Sequence, residues 1–139
     1  MSYDQLISLY FERSNALQDY WTLYVVIVGG LLAFSSLRKH PAPLTTLIVS
    51  ILFVLFAYEN HDAIQATTRQ RLATLEAIKG AGADNAVHTR LEPTMKPATP
   101  GSVSTTHIVS DLLTLAGLWA MEYGRRKNRR TSIPIDETD

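Results

Sequence analysis

Apolar residues fall along this chain in blocks. Tyr20 to Leu37, YWTLYVVIVGGLLAFSSL, is an uncharged run of 18 residues between Asp19 and Arg38. A second block, PLTTLIVSILFVLFAY from Pro43 to Tyr58, is also free of charged residues. Crossing about 30 Å of hydrocarbon takes roughly 20 helical residues. A long core helix of a soluble domain shows a polar stripe, and neither block does. The pattern therefore predicts two transmembrane helices, at about 20–38 and 43–60. A third block, THIVSDLLTLAGLWAMEY from Thr106 to Tyr123, predicts a third span at about 106–123. It is interrupted by Asp111 and ends near Glu122. A carboxylate at mid-bilayer costs about 3 kcal/mol on insertion scales. Asp111 lies five residues in, roughly 8 Å deep at 1.5 Å per residue, where water or a partner relieves that cost. Glu122 is expected to snorkel to the opposite interface. The alternative for this segment is an amphipathic helix lying on the membrane.

The flanking segments carry a different signal. Tyr3, Leu6, Tyr10, Leu17, Tyr20 and Tyr24 follow a 3–4 spacing broken only by Arg13, a helical stripe. One helix over about 3–38 is predicted. Ile64, Thr68, Leu72, Leu75 and Ile78 continue the second span in the same way, and no proline or glycine interrupts Leu44 to Lys79. Gly80 and Gly82 then end it. With His40-Pro41-Ala42-Pro43 as a short turn, the expected architecture is an all-α integral membrane protein. Its first two helices form a long antiparallel hairpin extending past the outer face, with extensions 3–19 and 61–79. Residues 80–105, punctuated by glycine and proline and poor in large apolar groups, are expected to be a flexible outer loop. Ser104, Thr105 or Thr106 is expected to cap the third helix. Residues 124–139 form a tail, polar and mobile from Thr131 onward. The first hydrophobic run starts at residue 20 with only Arg13 before it, so an uncleaved anchor is expected rather than a signal peptide.

Charge changes the picture only when it is read by position. Thirteen basic and 13 acidic residues cancel to a net charge of zero. Seven basic residues nevertheless sit close to span ends on one side: Arg38 and Lys39, then Arg125, Arg126, Lys127, Arg129 and Arg130. The segment before the first span has a net charge of −2, from Asp4, Glu12 and Asp19 against Arg13. Basic residues near span ends mark the cytoplasmic side. The amino terminus is therefore expected outside and the carboxyl terminus inside a cell inner or plasma membrane. Tyr20, Trp21, Tyr24 and Tyr58 at one level, and Trp119 and Tyr123 at the other, match the aromatic belts of the two interfaces.

Motif chemistry is sparse. There is no cysteine, which excludes disulfides, thiolate metal sites and cysteine nucleophiles. No HExxH, phosphate-binding glycine loop or GxSxG elbow occurs. The run RRKNRR at Arg125–Arg130 follows a span directly, so it predicts topology and anionic-lipid contact rather than nucleic-acid binding. Asp19, Glu59, His61, Asp62, His107 and Asp111 all fall near the outer ends of the spans. Of these, Glu59, His61, His107 and Asp111 are weak metal candidates, with hydrated interfacial residues as the simpler reading. No cofactor is expected. Asp111 is the intramembrane polar residue expected to act, or else to hydrogen-bond Ser50, His107 or a neighbouring helix. Small residues at 3–4 spacing mark expected packing faces: Gly29, Ala33 and Ser36 in the first span, and Ser110, Thr114 and Gly117 in the third.

These features predict a small non-enzymatic membrane protein that binds other membrane subunits, or itself, as a subunit or assembly partner. The alternative is a homo-oligomeric pore with Asp111 facing the lumen. Three spans, an outward amino terminus and a basic cytoplasmic tail resemble the general layout of some phage holins, without a shared motif. A membrane enzyme using the outer carboxylate–histidine cluster is a third reading, which no spacing favours.

Overall fold

Ser2 opens the first helix with a reciprocal cap. Its hydroxyl accepts from the Gln5 backbone N–H at 3.3 Å, and the Gln5 side chain accepts from the Ser2 N–H at 2.8 Å. Two of the orphan donors at the helix start are thereby satisfied. Helix α1 then runs without a break over Tyr3–Leu37, 35 residues. At 1.5 Å per residue that is roughly 52 Å, longer than a bilayer core is thick. A five-residue turn, Arg38 to Ala42, leads into α2 (Pro43–Ala81, 39 residues), with Pro43 in the first helical position where a missing N–H costs nothing. A single 3-10 turn, Glu92–Thr94, precedes α3 (Pro100–Thr131). This computed structural model describes residues 2–81, 90 and 92–131. The expected tail beyond Thr131 and most of the expected loop between Gly82 and Leu91 lie outside the described residues.

Helix α3 begins six residues earlier than the apolar block predicts. Thr99, not Ser104, Thr105 or Thr106, is its cap: the Thr99 hydroxyl accepts from the Ser102 N–H at 3.2 Å, with Pro100 first in the helix. The start was hidden because Pro100 and Gly101 read as loop punctuation, whereas proline at the first helical position is favourable. Nor is the approach to α3 detached. Met95 is buried against Leu6, Tyr10, Leu75 and Ile78, and the Gln65 amide donates to the Pro100 carbonyl at 2.9 Å.

The helices stack in layers whose numbering fixes their directions. Leu6 and Tyr10 meet Leu75 and Ile78. Leu17 meets Ile64 and Val103. Tyr24 meets Phe53 and Ala57, with Leu115 packed alongside. As α1 ascends, α2 descends and α3 ascends, so α2 is antiparallel to both neighbours. The layers furthest from the Arg38–Ala42 turn pair apolar side chains with buried polar ones of α2, Gln65, Thr67, Thr68 and Thr74.

Nearer the turn the usual arrangement is inverted. Val25, Val26, Leu37, Leu44, Leu52, Leu55, Leu112, Leu113 and Trp119 are all exposed, between 40% for Trp119 and 80% for Leu37. The buried positions over the same stretch include Ser35, Thr46, Ser50, His107, Thr114 and Glu122. Several hydroxyls turn back onto their own helix: Ser50 donates to the Thr46 carbonyl and Thr114 to that of Ser110. Back-bonding of this kind satisfies a hydroxyl without a partner helix. Helices α1 and α2 each contain an 18-residue stretch long and apolar enough to cross a membrane. The third expected span does not appear among such helices, because α3 carries its polar residues within the same stretch that carries its leucines.

The two small-residue stripes have different surroundings. A Cβ added at Gly117 would meet the Leu32 side chain at 3.4 Å, so α1 and α3 approach closely there. Thr114 on the same face is buried and Ser110 half-buried. Gly29, Ala33 and Ser36 are exposed, and a Cβ at Gly29 would meet nothing within 4 Å. Within one chain that stripe is not a packing face. Ser35, one position away from Ser36, is the residue turned inward.

Candidate functional site

The spacing of His107, Asp111, Thr114, Leu118, Glu122 and Arg125 puts one residue of α3 on the inner face at every turn. This face builds two polar networks, each of which joins all three helices.

The first centres on His107, which has no exposed surface. The Asn60 amide of α2 faces Nε2 at 3.2 Å, and an Asp111 carboxylate oxygen faces Nδ1 at 2.9 Å. An amide nitrogen can only donate and a carboxylate only accept, so the neutral ring carries its proton on Nδ1. The Tyr24 hydroxyl of α1 donates to the other Asp111 oxygen at 2.8 Å. The result is a chain from Asn60 through His107 to Asp111, closed by Tyr24. Aromatic rings enclose it: Tyr24 lies 4.4 Å from the imidazole centroid and Trp21 5.7 Å. His61 lies 5.2 Å away and is itself hydrogen-bonded to Ser104 at 3.0 Å. Asp111 keeps 22% of its side chain exposed, at the edge of a groove of about 310 Å3 between α2 and α3 walled by Phe53, Ala57, Tyr58 and Ile108.

The second network surrounds Glu122. This carboxylate is 1% exposed, so it does not snorkel; it points into the bundle because it follows Leu118 by four residues on the buried face. One of its oxygens takes Arg125 Nη2 and the Thr46 hydroxyl, both at 3.1 Å, and Arg38 Nη2 at 3.5 Å. The other takes Arg126 Nε at 3.4 Å. The arginines reach further. Arg38 donates to the Ala42 carbonyl at 2.9 Å and to Thr46 at 3.1 Å, and Arg125 donates to the Ser35 carbonyl at 2.8 Å. The end of α1, the turn, the start of α2 and the last turns of α3 are thus clamped on one carboxylate.

The other residues singled out from the sequence are scattered. Asp19, Glu59 and Asp62 are exposed. Among the described residues no three histidine or carboxylate side chains gather to hold a metal ion, so Glu59, His61, His107 and Asp111 form no common ligand set. Of the partners anticipated for Asp111, His107 and a neighbouring helix are present, whereas Ser50 bonds its own backbone instead. Lys127 and Arg129 are exposed on the last turns of α3, while Arg125 and Arg126 belong to the Glu122 clamp. Asn60 and Thr46 are not marked by the sequence, which reads Tyr24 as a stripe and interface aromatic and Arg38 as a topology signal. For Glu122 a signal existed, the 3–4 spacing of polar residues along α3. Asn60 and Thr46 lie singly in an apolar context, and nothing local marks them.

No protein-family model, curated protein or solved structure matches the chain.

Proposed function

We propose that this chain is a small non-enzymatic protein whose three helices all cross a membrane, acting as a subunit or assembly partner of a larger membrane complex. One observation carries the reading: the inversion near the turn, with leucine, valine and isoleucine outside and polar groups inside, all but the Ser35 hydroxyl hydrogen-bonded. In water such an outer surface is an aggregation liability. In hydrocarbon it is the favourable arrangement, and polar side chains must turn inward to find partners. The same observation supports α3 as a span, since Ile108, Val109, Leu112, Leu113 and Trp119 are exposed while His107, Asp111 and Glu122 face the other helices. Average hydropathy conceals what the sidedness supports. The far layers, where Leu6, Tyr10, Leu17, Ile64, Leu75 and Ile78 are buried, then belong to a helical hairpin standing outside the bilayer.

The polar networks support a structural rather than a catalytic role, because their atoms, Arg125 Nε excepted, are occupied by one another. Both nitrogens of His107 and both oxygens of Asp111 have partners. A pore lined by Asp111 would require that carboxylate to leave Tyr24 and His107. The exposed stripe of Gly29, Ala33 and Ser36 offers a face for close helix approach by a partner or a second copy.

The basic residues at the turn and on the last turns of α3 support an orientation with those ends in the cytoplasm and the amino terminus outside. Reporter fusions at residue 90 are expected to score as external and fusions at residue 135 as cytoplasmic. Equal signals on one side would refute three spans. Purification in mild detergent, followed by mass measurement of the intact particle, is expected to find a fixed-stoichiometry assembly. A bare monomer in every mild detergent would defeat the subunit reading.

A further inference from the structure

We propose that the basic pocket beside the Arg38–Ala42 turn is a binding site for the phosphodiester headgroup of an anionic lipid; the proposal rests on the three-span reading above. The pocket, about 690 Å3, is lined by Lys39, His40 and Pro41 from the turn and by Arg125, Asn128 and Arg129 from α3. These two walls are some 85 positions apart in sequence, yet the Glu122 clamp fixes one against the other. Arg38 holds the turn through the Ala42 carbonyl, and Arg125 holds α3 to the Ser35 carbonyl. A site so held is organised before its ligand arrives, which lowers the entropic cost of binding.

Its charge is strongly unbalanced. Glu122 is the one carboxylate at this end among the described residues, and it is buried beneath three arginines. Lys39 and Arg129 are exposed and have no ion-pair partner among the described residues. A phosphodiester presents the complementary charge and acceptor oxygens. Inorganic phosphate shares that chemistry, but the surroundings favour a lipid. Leu37 and Leu44, 80% and 68% exposed, flank the turn, so acyl chains anchored here would lie along the apolar outer surface of α1 and α2. Basic pockets at the cytoplasmic ends of spans suit such headgroups.

The test uses the full chain purified in mild detergent and native mass spectrometry with added cardiolipin, phosphatidylglycerol or phosphatidylcholine. One cardiolipin or phosphatidylglycerol per chain is expected to be retained, and phosphatidylcholine is not. Millimolar inorganic phosphate is expected to leave that occupancy unchanged. The pair K39Q and R129Q is expected to weaken retention about 30-fold. The single substitution K127Q, outside the pocket lining on the same turns of α3, is expected to change it by less than about twofold, against about fivefold for K39Q alone. Equal loss from K127Q and K39Q would reduce the effect to diffuse surface attraction and overturn the proposal. Phosphate that binds by itself, with the same sensitivity to K39Q and R129Q and no preference among lipids, would overturn the lipid assignment. Resistance of the chain to carbonate extraction from membranes is scored separately. Extraction would sink the three-span reading, whereas an embedded chain without headgroup preference overturns the pocket alone.

Discussion

Glu122→Ala is expected to be the most damaging single substitution in the chain, lowering stability by about 3–5 kcal/mol. The loss comes less from missing attraction than from what is stranded. With the carboxylate gone, Arg38 and Arg125, only 15% and 11% exposed, become poorly solvated cations without a counter-charge. The Thr46 hydroxyl loses its acceptor on α3. The clamp at the turn end would open, and the pocket beside it would lose its fixed walls. Thermal unfolding of the detergent-solubilised protein checks this, and a midpoint within error of the parent would show that the clamp contributes nothing. Glu122→Gln keeps the volume and one acceptor but not the charge. Its loss is expected to be partly recovered by adding Arg38→Gln, because removing a stranded cation is cheaper than keeping it. Strict additivity of the two changes would contradict direct coupling.

His107→Ala is expected to cost about 3 kcal/mol, from two sources. Removing a fully buried ring leaves a cavity that the surrounding helices cannot fill. It also leaves the Asn60 amide and one Asp111 oxygen without their partners. His107→Gln separates the two contributions, since a glutamine can donate to Asp111 and accept from Asn60 while filling most of the space. It is expected to recover about half of the loss, at the upper end of what interhelical hydrogen bonds contribute in membranes. The measurement is again the unfolding midpoint. An alanine variant as stable as the parent would show that the network does not lock the three helices.

Both predictions turn on residues that the sequence marks unequally. The long helices were legible because their evidence is periodic and repeated: the uncharged block Tyr20–Leu37, the stripe from Tyr3 to Tyr24, and the unbroken stretch from Leu44 to Lys79. A single misplaced residue does not erase such a signal. The turn was legible from its two prolines. The start of α3 was not, because Pro100 and Gly101 serve equally well to end a loop or to begin a helix, and only the Thr99 cap decides between them.

The site was half visible. His107 and Asp111, four residues apart on one helix, were recognisable as a pair because helical spacing alone brings them together. Their remaining partners come from 47 and 87 positions away, and no local pattern reports such distances. Glu122 was assigned to the interface because a carboxylate beside five basic residues at a span end ordinarily reaches for water. The structure turns it inward because the buried face of α3 passes through that position and three arginines are available to meet it. The stripe of Gly29, Ala33 and Ser36 shows the converse: small residues at the right spacing permit close approach, but they do not say which neighbour comes close.

The sequence by itself thus determined the first two helices with their lengths, the existence of the third, and the asymmetry of charge between the two ends, since each depends on residues near one another along the chain. Along the extensions the stripes from Leu6 to Tyr24 and from Ile64 to Ile78 already marked the inner face; nearer the turn only the tertiary structure decided which face of each helix is inside. That choice follows from the simultaneous pairing of Tyr24, Asn60, His107 and Asp111 at one level and of Arg38, Thr46, Glu122 and Arg125 at another. A polar group held away from water takes the rotation that satisfies it, and where its partners wait is a property of three packed helices rather than of any one segment.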